Sequence, residues 1–190
     1  MIPDSKNLYL SIHEYIYHLV RDRDVSLRLV NVFTRAEVPL QTFITAAKLY
    51  RIILNRAEYE SERSANEDPK THRKDCSFEK SKLIGRMSAK LIRHPYPTFI
   101  SCCVISSKFY KDIAFNNESW GCVACLSKNE INDFERITLG VLDYKINSAG
   151  DGTVMSEVQT HLRRSGFDAT EVNPKIFNFG YLMKKLFCFK

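Results

Sequence analysis

From Pro97 to Tyr110 the chain reads PTFISCCVISSKFY, and this stretch limits the possible folds more than any other. Written as a helix, Phe99, Ile100, Cys102, Cys103, Val104 and Ile105 leave hardly any polar side, and the only polar side chains before Lys108 are Thr98 and small serines. A helix that is apolar all round must be surrounded by other elements. This one is shorter than the roughly 18 residues of a membrane span, so it is expected at the centre of a helical bundle. Lys108 is its first strongly polar group. A cation in the last turn favours the negative end of the helix dipole.

The remaining segments supply helices to surround it. Leu8, Ile12, Tyr15, Ile16 and Leu19 have helical spacing, and His13 and His18 are too far apart on that helix to share a metal. A second helix is expected over Val25 to Thr34, with Leu27, Leu29, Val30, Val32 and Phe33. Pro39 suits a first helical turn, where its missing N–H is not needed. A third helix follows over 40–56, carried by Leu40, Phe43, Ala47, Tyr50 and Leu54, with Ala46 and Ala47 small enough for a close neighbour. The run AEYESERSANEDPKTHRKDCSFEKSK has almost no apolar period and is expected to be a long solvated loop. In KLIGRMSAKLIRH, Ile84, Met87 and Leu91 share a side apart from Lys82, Arg86, Lys90 and Arg93. This basic amphipathic helix either lies on a membrane surface or packs on the domain.

Asn116 or Asn117 is placed to cap a short helix containing Trp120, which is expected in the core. Ser127 and Glu130 form an S-x-x-E capping box. After it, Ile131, Phe134, Ile137, Val141 and Tyr144 make the expected buried stripe, with Glu135 beside it. SAGDG at Ser148 to Gly152 is expected to turn, 154–164 to form a helix ended by Gly166, and the aromatic segment after Pro174 to pack back on the domain. No strand alternation persists, so the fold class is all-α.

The chain has 190 residues, 44% of them hydrophobic, enough for one domain with a substantial core. Its net charge of +6 suits a nucleic acid, an acidic peptide or a phosphorylated partner and selects none of them. The polar start MIPDSKNLYLSIHEY does not read as a signal segment, so an intracellular location, nucleus or cytoplasm, is expected. The six cysteines are then expected to be free thiols. Cys122-Val-Ala-Cys125 lacks a second ligand pair, so no metal is expected. No phosphate loop, dinucleotide fingerprint, nucleophile elbow or paired carboxylate cleft can be picked out. The expectation is a binding module with no catalytic residues and no cofactor.

The segment from Pro97 to Ile146, about fifty residues, resembles the later part of a cyclin box and is most similar to that of the fungal Pcl/Pho-type cyclins. That family has an apolar helix ending in A-S-K-F or A-A-K-F, a nearby Asp, then N-x-x-W, L-S, E-(I/V/L)-N, E-x-x-F-L and L-D-(Y/F/W). Here stand Ser107-Lys108-Phe109, Asp112, Asn117 to Trp120, Leu126-Ser127, Glu130-Ile131-Asn132, Glu135 and Leu142-Asp143-Tyr144. A weaker match, from Val25 through Leu54, looks like the first two helices of the box. Glu135 is followed by Arg-Ile-Thr-Leu rather than the family's aromatic pattern, and the first helix lacks the M-R-A-I-L-x-x-W of cell-cycle cyclins.

The resemblance implies a single five-helix cyclin box over 25–147, with a charged insertion at about 56–82. An N-terminal helix within 1–24 and C-terminal helices or tail over 148–190 would flank it. It implies a regulatory subunit that binds a cyclin-dependent serine/threonine protein kinase, of the type that pairs with Pho-type cyclins, and acts on protein substrates through that complex. Lys108 and Glu135 match the family's kinase-facing pair, and Phe109, Leu139 and Ile146 match apolar contact positions. From the residues alone, Lys108 could equally cap its helix or pair with Glu135 inside the domain. Two alternatives share the fold: a nucleic-acid-binding transcription adaptor, against which the missing zinc ribbon counts, and a kinase scaffold that binds without activating. No membrane partner is expected, and kinase is favoured over nucleic acid.

Overall fold

The computed structural model describes residues 5–66, 76–110 and 115–146, together with Ser156, Glu157, Thr160 and Arg163. Among them are seven helices and no strand, as an all-α fold requires. These are α1 (Ser5–Val20), α2 (Arg23–Arg35), α3 (Leu40–Asn66), α4 (Cys76–Arg93), α5 (Pro95–Tyr110), α6 (Asn117–Ala124) and α7 (Lys128–Val141). The turn at 148–152, most of the helix expected over 154–164, the aromatic end and Asp112 lie outside the described residues.

α5 is the hub. It packs against α2, α3, α4, α6 and α7, and every side chain from Thr98 to Ser107 is buried. Phe99 sits at its middle, with the rings of Tyr50, Phe33 and Phe43 at 5.2, 5.8 and 6.3 Å between centroids. Burial of one such ring stabilises the fold by about 1.5–3 kcal/mol. The hydroxyls on this helix bond locally, so its polarity is hidden from the core. Ser101 donates to the Pro97 carbonyl, Ser106 to that of Cys102, and Thr98 to those of Leu91 and His94. Ala46 and Ala47 are fully buried on α3, which lies along α5.

The ends of the helices follow local chemistry. Asp22 caps α2 by accepting from the Val25 N–H at 3.0 Å. Asn116 caps α6, which decides between the two asparagines. Ser127 and Glu130 close both halves of the capping box on α7. Gly121 is required by a close approach: a Cβ there would lie 2.6 Å from the Leu126 carbonyl oxygen, where the chain turns from α6 into α7. Trp120 is 2% exposed, in the core as expected.

Three expectations need correction. The charged run at about 56–82 is not one long loop, because α3 continues to Asn66 and α4 begins at Cys76, leaving only 67–75 outside the described residues. Helical burial continues there past the apolar run: Arg56, Ala57, Glu60 and Arg63 are half-buried at helical spacing. Ser81 of α4 donates to Glu60 and accepts from Arg63, both at 2.8 Å, which ties the two helices together. Leu27 and Tyr144, counted in apolar stripes, are exposed; Tyr144 follows α7 with a positive φ of 57° and points outside the bundle at 68% exposure. On α7 the buried position next to Ile137 is Thr138, fully buried while Ile137 is only partly so.

The basic helix expected over 82–94 packs on the domain. Ile84, Ser88 and Leu91 of α4 are buried, and α4 contacts α3, α5 and α7. No helix among the described residues is long and apolar enough to cross a membrane.

Candidate functional site

Where α5 leaves the core its surface changes abruptly. Ser107 is buried, but Lys108, Phe109 and Tyr110 are all exposed. The Lys108 ammonium donates to Glu135 Oε1 at 2.6 Å. Lys108 is 41% exposed along its side chain, while Glu135 is only 15% exposed, set between α5 and α6 on the shoulder of α7. The second carboxylate oxygen is held as well: Asn117 Nδ2, in the first turn of α6, donates to Glu135 Oε2 at 2.6 Å and to Asn132 Oδ1 at 2.6 Å. Three helices thus converge on one carboxylate.

This arrangement fixes the pair without exhausting it. An ammonium has three donors and a carboxylate about four acceptor sites. After the contacts above, Lys108 keeps donors and Glu135 keeps lone pairs for another molecule. Exposed aromatic side chains follow Lys108 along the chain. Phe109 and Tyr110 are each 46% exposed and Phe115 is 48% exposed. Phe109 and Tyr110 meet edge to face at 5.1 Å, and the Tyr110 hydroxyl accepts from Thr45 at 3.2 Å, anchoring the end of α5 to α3. Phe115 rests edge-on against buried Trp120 at 6.3 Å.

The other sequence-derived positions divide. Leu139 lies one turn beyond Glu135 on α7, hence on the same face. It is half-buried and packs on the core, as does Ile146 just after the helix. Phe109 is the exposed apolar residue of the set; Leu139 and Ile146 offer partial surfaces. Arg56 of α3 donates to the Val141 carbonyl at 2.7 Å and so fixes the end of α7 that carries Leu139. Asn132 carries no expected role, and Asn117 only that of the alternative N-cap, which Asn116 fills. The signal was present in N-x-x-W and E-I-N, but a contact between helices has no periodicity to read.

Elsewhere, Cys122 and Cys125 are free and exposed rather than packed, while Cys102 and Cys103 are free and fully buried. Burial pushes the Cys102 and Cys103 thiols up, away from thiolate chemistry. Among the described residues no group of three or more His, Cys, Asp or Glu side chains could hold a metal ion. The site is an ion pair at the exposed end of a buried helix, held by a third side chain, Asn117.

Compared with family models, with curated proteins and with solved structures, the chain matches none.

Proposed function

We propose that this chain is a cyclin-type regulatory subunit that binds a cyclin-dependent protein kinase and holds it active. The observation that carries the reading is Lys108 at the one exposed end of an otherwise buried helix, fixed by Glu135 at 2.6 Å and flanked by exposed Phe109 and Tyr110. On this reading α2, α3, α5, α6 and α7 are the five helices of the box, α1 flanks it, and α4 is a helix inserted between the second and third. The motif residues support the same reading. Asn117, Asn132 and Glu135, which the resemblance places in separate motifs, meet at one point.

The mechanism proposed is a population shift. An active kinase needs its regulatory helix held inward, so that a Glu on it pairs with the ATP-binding Lys. A rigid surface that binds only the inward state shifts the population toward it. Lys108 would donate to, and Glu135 accept from, kinase backbone groups beside that helix, while Phe109, Leu139 and Ile146 cover its apolar side. Because the pair is already held by Asn117, little side-chain freedom is lost on binding.

The test is titration of the purified chain against a panel of cyclin-free cyclin-dependent kinases, with peptide phosphorylation measured in parallel. Binding with a rise in activity supports the proposal. Binding without that rise leaves a scaffold. Absence of binding across the panel, combined with salt-dependent binding to duplex DNA, would point to the adaptor alternative.

A further inference from the structure

The outer face of α4 is not used by the fold or by the Lys108 surface. Lys82, Arg86, Lys90 and Arg93 are all exposed. At 100° per residue they fall within about 80° of the helix circumference, along about 16 Å of its length. None of the four makes an ion pair among the described residues; Lys90 only stands over the Phe134 ring, at 5.6 Å. Cations this close repel one another and, apart from the ring beneath Lys90, gain nothing from the domain, so the stripe raises the energy of the free protein slightly and lowers it when an anionic partner arrives.

We propose that this face of α4 docks an acidic protein segment in extended conformation. Three observations select that partner. First, the stripe is short and bounded: exposed Glu79 ends it, and Glu60 lies against Ser81 at the same end. Carboxylates there oppose a long polyanion, whereas about five residues of extended chain span the same 16 Å. Second, apolar side chains flank the charges, with Leu83 52% exposed and Ile92 37% exposed on either side. Leucine-like contacts suit apolar residues at the ends of an acidic run, and the ring next to the stripe, Phe134, is buried beneath Lys90 and leaves no open face on which a base could stack. Third, a lipid surface would need the apolar face of α4, which is already spent: Ile84 and Leu91 are buried in the domain. The inference is independent of the Lys108 face.

The experiment uses the full chain and a short fluorescent peptide of glutamates with a leucine at each end, read by anisotropy. Its counterpart with glutamine for glutamate serves as control, and duplex DNA as competitor. The native protein is expected to bind the acidic peptide and not the control, with affinity falling as salt rises. Replacing Lys82, Arg86, Lys90 and Arg93 together by Gln should weaken binding about tenfold or more. Leu83→Ser with Ile92→Ser should weaken it about threefold or more while leaving the charges in place. Circular dichroism confirms folding of each variant, and the Lys82→Gln, Arg86→Gln pair alone serves if the fourfold variant is unstable. The proposal is overturned if the acidic peptide does not bind, if the Gln variants bind it unchanged, if the Ser variants do, or if DNA displaces it at lower charge concentration than the peptide itself.

Discussion

Asn117, in the first turn of α6, holds Glu135 of α7 through an amide-to-carboxylate bond of 2.6 Å, and the same amide group reaches Asn132. Asn117 is 9% exposed and its Oδ1 has no partner, so the fold tolerates one buried unpaired acceptor to keep this donor in place. Asn117→Ala should cost about 1–3 kcal/mol, because a half-buried carboxylate oxygen loses its donor. Asn117→Asp should cost more near neutral pH, by setting a second carboxylate against Glu135. That excess should shrink as pH falls toward about 4, where the introduced acid begins to take up a proton. Urea denaturation of both variants at the two pH values measures the difference; an Asp variant as stable as the Ala variant at neutral pH would refute it.

The join between α3 and α4 gives a second prediction. Glu60, Arg63 and Ser81 form one hydrogen-bonded set, and Lys80 approaches Asp143 beyond α7 at 3.6 Å. Removing 61–80 would take Arg63, Lys80 and the first turn of α4, and would leave Glu60 without the α4 geometry it meets. A loss of about 1–3 kcal/mol is expected, against near neutrality for Lys80→Ala alone, whose ion pair is exposed. Thermal unfolding of the two variants decides it. Equal melting temperatures would mean that the charged run is dispensable after all.

That run also shows where sequence reading stops. The hub was legible because α5 is apolar on every side, and only a wrapped helix tolerates that. The α7 capping box was legible because Ser127 and Glu130 act within one turn. The α3 extension was not, because its helical period is carried by Arg56, Glu60 and Arg63, which are half-buried although residues of their type are mostly exposed. Leu27 and Tyr144 misled in the opposite sense: apolar type and correct spacing do not force burial at the edge of a bundle. Lys108 and Glu135 were legible from motif resemblance. Their mutual bond was open, and their support from Asn117 was invisible, since a contact between three helices leaves no local pattern.

Alkaline stability provides a third prediction. Burial pushes the Cys102 and Cys103 thiols up from the ordinary 9.0, and the Tyr15 and Tyr50 hydroxyls up from 10.0, Tyr15 to about 12. The folded chain therefore keeps protons that the unfolded chain has already released. The stabilisation from these groups is complete below the unfolded values and is lost as pH rises past about 9 toward the folded ones. Each thiol contributes a slope approaching about 1.4 kcal/mol per pH unit in that window. Cys102→Ala with Cys103→Ala should be less stable than the native chain near pH 8, from cavity formation, yet lose less on going to about pH 10. Urea midpoints at both pH values test this; a parallel loss in the two proteins would assign the alkaline effect elsewhere.

The last prediction separates a pair that serves the fold from a pair that serves a partner. Lys108 is 41% exposed, so Lys108→Ala should cost the fold only about 0.2–1 kcal/mol. Glu135→Lys should cost more, since it sets a second cation beside Lys108. Reversing both, Lys108→Glu with Glu135→Lys, recreates an ion pair in the same place. Asn117 can follow, because rotation of its amide brings the unpaired Oδ1 to face the new ammonium. The double reversal should therefore recover most of the stability lost in Glu135→Lys. Kinase binding should not recover with it: partner groups arranged for an ammonium at 108 and a carboxylate at 135 would meet the opposite charges. A loss of about 2–5 kcal/mol is expected there, roughly thirtyfold or more in affinity. Circular dichroism melting and kinase titration on the same samples give both readings. If stability and binding recover together, the pair acts through the fold alone, and the kinase-facing role proposed for Lys108 and Glu135 is wrong.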